Sequence, residues 1–392
     1  MSFFDNRYYY FNKRLLCILG QWPFQSRLKS YILFGVASIF ILSLTAFEMW
    51  GLVAGITNMN IIMINLSPLL INSFVIVKFF NCALTKHYMK EFLEDIEETW
   101  KVKHIGPEKE ILENFAEEYM SITKPYMIVI YTLWFLYCGP PVVINKIHQL
   151  LPTNETYTPE FLYRIEHVLN LDKYFNLLML HAFIAVFYII TTVIAVDITF
   201  TMCILHICAL FECLRYNIER IRGSDFVHLE PKIEDDKAYH DIINCIESYK
   251  HALKLSDILS ANYSTAFLFI LGNIVISLSF GAAELVMLDT QLEELIRIFS
   301  ATMGQVLVIF YLSWISQKLI DYSSSFQNVI YSCDWYNISL RSKHLLKLTL
   351  LRAAHPCQVK GGKIYVMSLM TFSWILKGSL SYFTVLTSLQ QE

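Results

Sequence analysis

The segment from Lys363 to Leu389 carries the most distinctive chemistry in this sequence. Its apolar stretch is longer than the about 20 residues needed to cross a bilayer. Lys377 nevertheless places a charge near its middle. Hydroxyl side chains are spread along the segment, at Ser368, Thr371, Ser373, Ser379, Ser381, Thr384 and Ser388. A charge at membrane depth is costly unless it faces protein or water, so the pattern favours a helix that lines an aqueous path. Packing of helices through small polar residues gives the same pattern, and the residues alone leave both interpretations open.

Residues that could support catalysis or bind a metal are sparse. The sequence contains no GxSxG, HExxH, P-loop or GxGxxG motif, and so lacks common signatures of hydrolases, metalloproteases and nucleotide-binding proteins. Cys203, His206 and Cys213 share roughly one helical face, but their spacing matches no standard zinc pattern. His181 is interpreted as a hydrogen-bonded residue of the core or of a pocket. We therefore predict that the protein is not an enzyme and has no metal or other cofactor.

Composition identifies the elements that must position these residues. The 392-residue chain is 55% hydrophobic and only 17% charged, which is more apolar than a typical soluble domain. Its net charge of −3 gives no indication of nucleic-acid binding. Since no polar Gly/Ser-rich linker divides the chain, we predict one all-α membrane domain over residues 1–392, in contact with lipid. Seven stretches are long enough to cross a bilayer, at about 31–50, 61–83, 125–145, 174–195, 258–281, 298–317 and 364–389.

Positive charge alternates between the gaps that separate these stretches. Lys and Arg number 25 in the gaps 1–30, 84–124, 196–257 and 318–363, but only four in the gaps 51–60, 146–173 and 282–297. Positive loops mark the cytoplasmic side, so we predict a cytoplasmic N-terminus and an extracellular C-terminus. This orientation is opposite to that of a G-protein-coupled receptor. No cysteine lies in a predicted outer loop, which argues against a disulfide framework, whereas the sequon at Asn154 is predicted to be outside and is a glycosylation candidate.

Several spans are predicted to differ from plain apolar helices. Lys78 lies near the inner end of its span, where a long side chain can reach the interface. The third span is expected to stop at Pro140 and Pro141. A helix from Leu171 to Arg222 would be about 75 Å long, so we expect the fourth helix to enter the cytoplasm.

The inner segments 196–257 and 318–363 are predicted to anchor and assemble the protein, because helices four to six extend into them. Apolar residues in these segments need partners, which a neighbouring subunit or the same chain would provide. They are Ile242, Ile246, Leu253, Leu345, Leu348 and Leu351.

The C-terminal part of the chain resembles the insect odorant receptor family. The resemblance is carried by YSCDW at Tyr331–Trp335, RAAHP at Arg352–Pro356, the Gly362–Lys363 pair and the SYFTVL sequence that begins at Ser379, together with LLCILGQWPF at Leu15–Phe24. It implies a seven-helix subunit of a ligand-gated, non-selective cation channel. In such a heterotetramer an odorant-specific chain joins a shared co-receptor in the plasma membrane of a sensory neuron dendrite. The short second inner loop resembles that of an odorant-specific subunit.

The same resemblance assigns a gate to the seventh helix, 364–389. Val385 and Leu389 are four residues apart and share one helical face, with Ser381 and Ser388 close to it. A ring of such apolar side chains can close a pore by dewetting, and Val385 and Leu389 match the gate positions of the family.

The ligand is expected to be a small, volatile and hydrophobic molecule. It is predicted to bind between the outer halves of spans 2, 3, 4 and 6, in an apolar pocket with a few polar groups. The candidate residues are Leu69, Asn72, Ser73, Ile130, Trp134, Leu177, Leu180, His181, Ile184, Met303 and Val306. Two alternatives stay open. The first is a gustatory-receptor-like channel, although Ser381-Tyr382 and Leu389-Gln390 depart from the terminal motif of that family. The second is a small-molecule transporter, although the sequence shows no internal repeat.

Overall fold

The computed structural model describes residues 3–57, 59–150, 161–163, 171–221, 232–287, 292–362 and 364–391. In these residues the chain forms ten α-helices and one small β-hairpin. The helices are α1 (Tyr10–Ile18), α2 (Arg27–Ala54), α3 (Met59–Leu84), α4 (Lys86–Val102), α5 (Pro107–Leu150), α6 (Leu171–Glu219), α7 (Lys237–Met287), α8 (Leu292–Ser332), α9 (Leu340–Ala353) and α10 (Leu369–Gln391). Strands β1 (Lys360–Gly361) and β2 (Tyr365–Val366) pair antiparallel just before α10.

Six of these helices are long and apolar enough to cross a membrane: α2, α3, α5, α6, α7 and α8. The prediction of an all-helical membrane protein is therefore confirmed. The first six predicted spans lie within these six helices, in the same order. The segment predicted as the seventh span supplies β2 and α10, which packs along α7 and α8. The number of crossings and their direction remain predictions.

Helix α6 occupies the centre of the bundle. It contacts α1, α2, α3, α5, α7 and α8, and every side chain from Thr191 to Phe211 is buried. A helix that is apolar on all sides needs neighbours on all sides, which explains its position. Its 49 residues correspond to about 74 Å, well beyond a bilayer core of about 30 Å. The long fourth helix is therefore present, and its extension into the cytoplasm stays a prediction.

Helix α5 corrects one expectation from the sequence. It continues through Pro140 and Pro141, where the third span was predicted to stop, and it also contains Pro125. Each proline removes one backbone donor and crowds the preceding turn. Neighbouring helices can hold such a helix together in a membrane bundle, and α5 packs closely against α6 and α8.

Lys78 corrects a second expectation. Its Nζ lies 2.6 Å from Oδ1 of Asp197, and both side chains are only 1% exposed. The predicted snorkelling is therefore wrong, because α6 presents a buried carboxylate to Lys78. The Tyr126 hydroxyl donates to Oδ2 of Asp197 at 2.7 Å, and the Tyr126 ring stacks on that of Tyr311 with centroids 3.9 Å apart. This cluster cross-links α3, α5, α6 and α8 near the middle of the bundle.

Candidate ligand cavity and candidate pore face

A cavity lies between α2, α3, α5, α6 and α8, on the side of the Lys78–Asp197 pair that is away from α9. Its empty volume is about 740 Å³, a value that includes the part open to solvent. Its walls are mostly aliphatic and aromatic, as expected for a site that holds a small apolar molecule. They are formed by Leu44, Glu48, Pro68, Ile71, Asn72, Phe74, Val75, Ile130, Leu133, Trp134, Tyr137, Val186, Ile189, Ile190, Val193, Ser300, Ala301, Gly304, Gln305 and Val308.

An aromatic cluster between α5 and α6 supports Trp134, which lines this cavity. The ring of Trp134 packs against Phe183 and Phe187, with centroids 4.5 Å and 5.8 Å away. Ile130 lies one helical turn before Trp134 and is buried on the same face of α5. Tightly packed aromatic rings of this kind supply large apolar contact area at fixed positions.

Several polar side chains interrupt the apolar walls, among them Glu48, Asn72 and Gln305. Asn72 donates from Nδ2 to Oε2 of Glu48 at 2.6 Å, and this bond joins α3 to α2. Gln305 enters from α8 and is buried, and among the described residues neither its Nε2 nor its Oε1 atom has a hydrogen-bond partner. A few polar groups in an otherwise apolar pocket fix the orientation of a bound molecule.

The structure places some of the ligand-binding residues predicted from sequence in the cavity lining and the others outside it. Asn72, Ile130 and Trp134 line the cavity together. Eight others lie outside its lining, at Leu69, Ser73, Leu177, Leu180, His181, Ile184, Met303 and Val306. Leu177 and Leu180 are exposed on the surface of α6. None of these positions has been tested as a contact, so all eleven remain predictions.

Two of the residues outside the lining are held by specific partners. Nε2 of His181 lies 2.8 Å from the Ser43 hydroxyl, and its ring lies 5.7 Å from Phe40 and 5.7 Å from Phe47. This contact attaches α6 to α2. The Ser73 hydroxyl accepts a hydrogen bond from Nδ2 of Asn273, which attaches α3 to α7. Both side chains therefore serve helix packing in this structure.

Polar residues of the cavity were missed by the sequence analysis, among them Glu48 and Gln305. Both lie within predicted membrane spans. Ionisable and polar residues in a membrane span are expensive and commonly functional, and this signal could have identified Glu48. Apolar periodicity alone does not reveal them, because it locates only the face that packs.

Helix α10 presents one face to its own bundle and leaves the other uncovered. Ile375 and Ser379 are buried, and Ser279 on α7 donates to the backbone carbonyl of Ser379 at 3.2 Å. Residues at three- and four-residue spacing form a stripe on the opposite, exposed side. They are Trp374, Lys377, Ser381, Val385 and Ser388. This exposed stripe of α10 contains three of the four predicted pore residues.

Two predicted sites fall outside what the structure describes. Leu389 belongs to α10, but its side chain is not among those described. Asn154 lies in the segment 151–160, which is outside the described residues. The predicted gate position Leu389 and the predicted glycosylation site Asn154 are therefore untested.

A second cavity lies between α4, α6 and α7, at the α9 end of the bundle, and it is polar. Asp95 lies 2.6 Å from Nε2 of His251 and 3.5 Å from Nε2 of His206. Burial acts to raise the pKa of Asp95, but the hydrogen bond with His251 and the nearby His206 hold it below its usual range. The hydrogen bond to Asp95 raises the pKa of His251, whereas burial lowers that of His206.

The same region contains the cysteines that suggested a metal. Burial raises the pKa of the Cys213 thiol to about 11, and a protonated thiol is a poor metal ligand. Within the described ranges, no group of three His, Cys, Asp or Glu side chains is arranged to hold a metal ion. The Asp95 contacts therefore join α4, α6 and α7 as a structural link.

Long apolar helices around a small-molecule cavity define a multi-pass membrane protein with a candidate ligand site. The sequence pattern described as 7tm Odorant receptor matches residues 58–380 of this chain. Because that match covers most of the sequence, the chain belongs to the insect odorant receptor family. The resemblance seen in the C-terminal motifs is thereby confirmed.

Individual relatives are distant. The chain is 23% identical to odorant receptor 9a of Drosophila melanogaster over 62% of its own length and 57% of that protein. It is 25% identical to the odorant receptor coreceptor of Aedes aegypti, over 37% of this chain and 30% of the coreceptor. The chain thus spans less than two thirds of either relative.

The fold is similar to a solved structure. The olfactory receptor OR5 from Machilis hrabei, in complex with eugenol, superposes with a TM-score of 0.78. The superposition covers 98% of this chain and 100% of that one, at 14% sequence identity. At that identity the likeness concerns the fold alone.

Proposed function

We propose that this chain is the odorant-specific subunit of a heteromeric, odorant-gated, non-selective cation channel. The observation that carries the proposal is the cavity between α2, α3, α5, α6 and α8, in a member of the odorant receptor family. A small volatile ligand binds there and opens a pore lined by α10. The eugenol complex of OR5, which shares the fold, supports small-molecule binding as the activating event.

The remaining features of the proposal concern assembly and orientation. The partner is an odorant co-receptor, with which the chain forms a heterotetramer in the plasma membrane of the sensory dendrite. The aligned region covers 57% of odorant receptor 9a but only 30% of the mosquito coreceptor, which favours the odorant-specific role. The N-terminus and the α9 end face the cytoplasm, and α10 is the seventh crossing, ending outside.

The composition of the cavity indicates how ligands are distinguished. Binding would rest mainly on burial of apolar surface, at about 25 cal/mol per Å². When two homologous ligands differ by one methylene, their binding free energies in an apolar pocket differ by about 1–3 kcal/mol. We therefore expect the response to change gradually with the chain length of the ligand, up to the length that the cavity can hold.

Filling the cavity at Gly304 tests the ligand site. A Cβ added there would meet only Leu133 Cδ1, at 3.8 Å, so a larger side chain would extend into open space. Gly304→Leu is expected to raise the half-maximal odorant concentration about tenfold or more, with the largest ligands affected most, because it occupies their volume. Replacing glycine inside a helix also favours the helix by about 1 kcal/mol, so folding should not suffer. The measurement is the odorant dose–response of current in cells that also express a co-receptor.

Gly272→Leu is the matched control. Gly272 lies on α7, has no heavy atom within 4 Å of an added Cβ and does not line the cavity. It should leave the dose–response unchanged. If Gly304→Leu also behaves like the wild type toward large and small ligands, the ligand binds elsewhere.

The exposed stripe of α10 gives an independent test of the pore. Val385 is 51% exposed on the face of α10 that its own bundle leaves uncovered. In Val385→Cys, a charged, water-soluble thiol reagent is expected to reduce odorant-evoked current strongly and irreversibly, because it places a charge in the conduction path. Ile375→Cys is the control, since Ile375 is buried within the bundle and should not react. Current that ignores the reagent at position 385 would exclude this face of α10 from the pore.

A further inference from the structure

The strongest unused feature of the cavity is the side chain of Gln305. It is 3% exposed, and neither its Nε2 nor its Oε1 atom has a hydrogen-bond partner in the described structure. Since both ends are unpaired, exchanging the amide nitrogen and oxygen would not satisfy either. A buried polar group without a partner is destabilising, and native structures rarely keep one unless water or a ligand completes it. Gln305 lines the cavity, so its missing partner belongs there.

Glu48 supplies the second polar group. It is buried on α2, lines the same cavity, and accepts a hydrogen bond from Asn72 at its Oε2 atom. Within the described residues Asn72 is its hydrogen-bond partner, which leaves Oε1 available to a ligand. Trp134 also lines the cavity, and its Nε1 atom is buried without a partner among the described residues. The cavity therefore offers donors at Gln305 Nε2 and Trp134 Nε1 and acceptors at Gln305 Oε1 and Glu48 Oε1.

This inventory distinguishes between classes of polar ligand. An ether, ketone or ester only accepts hydrogen bonds, so it would leave the Glu48 and Gln305 oxygens unpaired. An ammonium group only donates, so it would leave the Gln305 amide hydrogens unpaired. A carboxylate only accepts, so it would leave the same oxygens unpaired as an ether does. A hydroxyl group both donates and accepts, so it can accept from Gln305 Nε2 and donate to one of the two acceptor oxygens at the same time.

We infer that the cavity recognises a small alcohol or phenol, whose hydroxyl group binds between Gln305 and Glu48 and whose apolar body fills the space beside Trp134 and Ile130. This inference rests on the proposed function for the location of the site, and it adds the chemical class of the ligand. An ordered water at Gln305 would be compatible with it, because a hydroxyl reproduces the hydrogen bonds of the water that it displaces.

Four probes of matched size test the inference: 1-hexanol, methyl pentyl ether, hexylamine and heptane, which have the same number of non-hydrogen atoms. They are applied to cells that express the full chain with a co-receptor, and their half-maximal concentrations are compared. The wild type should respond to hexanol at a concentration about tenfold lower than to the other three, which is the size expected for one or two hydrogen bonds.

Two substitutions then separate the roles. Gln305→Met keeps the approximate shape but removes both polar atoms, so the preference for hexanol over heptane should disappear while the heptane response persists. Glu48→Gln replaces one carboxyl oxygen by an amide nitrogen, which cannot accept, so the half-maximal concentration of hexanol should rise about threefold or more. Gln317→Met is the control, because Gln317 lies further along α8 and donates instead to Asp321.

A second readout keeps this test independent of channel activity. The purified complex is heated with each probe, and the ligand-induced rise in melting temperature is ranked in the wild type and in Gln305→Met. If no probe evokes current but hexanol alone stabilises the wild type, the channel proposal fails and the inference stands. Equal effects of hexanol, ether and heptane in the wild type would overturn it. So would a hexylamine preference that Glu48→Gln abolishes and Gln305→Met does not.

Discussion

Lys78→Met is expected to remove most of the folded protein from the cell surface. The substitution deletes the partner of Asp197, which is 1% exposed and lies 2.6 Å from the Lys78 ammonium. Breaking a buried ion pair from one side leaves an uncompensated charge, at a cost of about 3–5 kcal/mol. That is a large fraction of the about 5–15 kcal/mol that stabilises a typical folded protein. Surface biotinylation and size-exclusion profiles of the solubilised protein measure the loss.

Removing both charges should restore much of the protein. In the double variant Lys78→Met with Asp197→Asn, this pair leaves no buried charge. In the wild type the Tyr126 hydroxyl lies 2.7 Å from Oδ2 of Asp197, and the asparagine oxygen can still accept its hydrogen bond. Lys90→Met is the control on the surface, since the Lys90–Glu94 pair is about half exposed and contributes little. Wild-type surface amounts of the single variant Lys78→Met would show that the ion pair does not hold α3 to α6.

Leu348→Glu combined with Leu351→Glu is expected to abolish assembly with the co-receptor. The two leucines are 64% and 62% exposed on α9. Other exposed apolar residues precede them in the chain, at Tyr331, Trp335, Tyr336 and Leu340. Exposed apolar surface commonly marks an interaction site. Burial of two leucines is worth about 3 kcal/mol or more, so their loss should weaken the complex by more than about a hundredfold. Co-purification with a tagged co-receptor measures the effect.

Lys347→Glu provides the matched control for assembly. Lys347 is exposed on the same helix, and its replacement changes charge without removing apolar surface. The double leucine variant should still elute as a single folded species, because neither leucine is buried in its own chain. Undiminished co-purification of that variant would show that the subunits meet elsewhere.

The sequence predicted helices better than it predicted contacts. Apolar length was sufficient to locate six long helices, because each must satisfy its backbone within the membrane. The stop at Pro140 was wrong because packing against α6 and α8 holds α5 together beyond that proline. The surface position assigned to Lys78 was wrong because Asp197 is far away in the sequence. Pairings between distant residues leave no local signal.

The candidate ligand site shows the same division. Trp134 and Ile130 were selected as residues in the outer half of the third span, and they do line the cavity. Leu177 and Leu180 were selected in the same way on α6, yet their face is exposed. Periodicity identifies the residues that share a face, but the arrangement of neighbouring helices decides which face encloses the cavity.

The assembly residues follow this rule as well. Ile242 was expected to need a partner and is fully buried within its own chain, whereas Leu348 and Leu351 are exposed. A sequence cannot distinguish a partner in the same chain from one in a neighbouring subunit, because both bury apolar surface equally well. The exposed leucines are therefore the sharper test of assembly.

Current recording in cells whose G-protein signalling is blocked tests the central proposal most directly. The chain is expressed alone, with a co-receptor, and as Gly304→Leu with the same co-receptor, and a panel of small volatile alcohols and hydrocarbons is applied. We expect a non-selective cation current that needs both proteins, survives the block and is weakened for large ligands by Gly304→Leu. A response that needs G proteins, or one that is the same with the co-receptor alone, would contradict the assignment of this chain as the odorant-specific subunit of an odorant-gated channel.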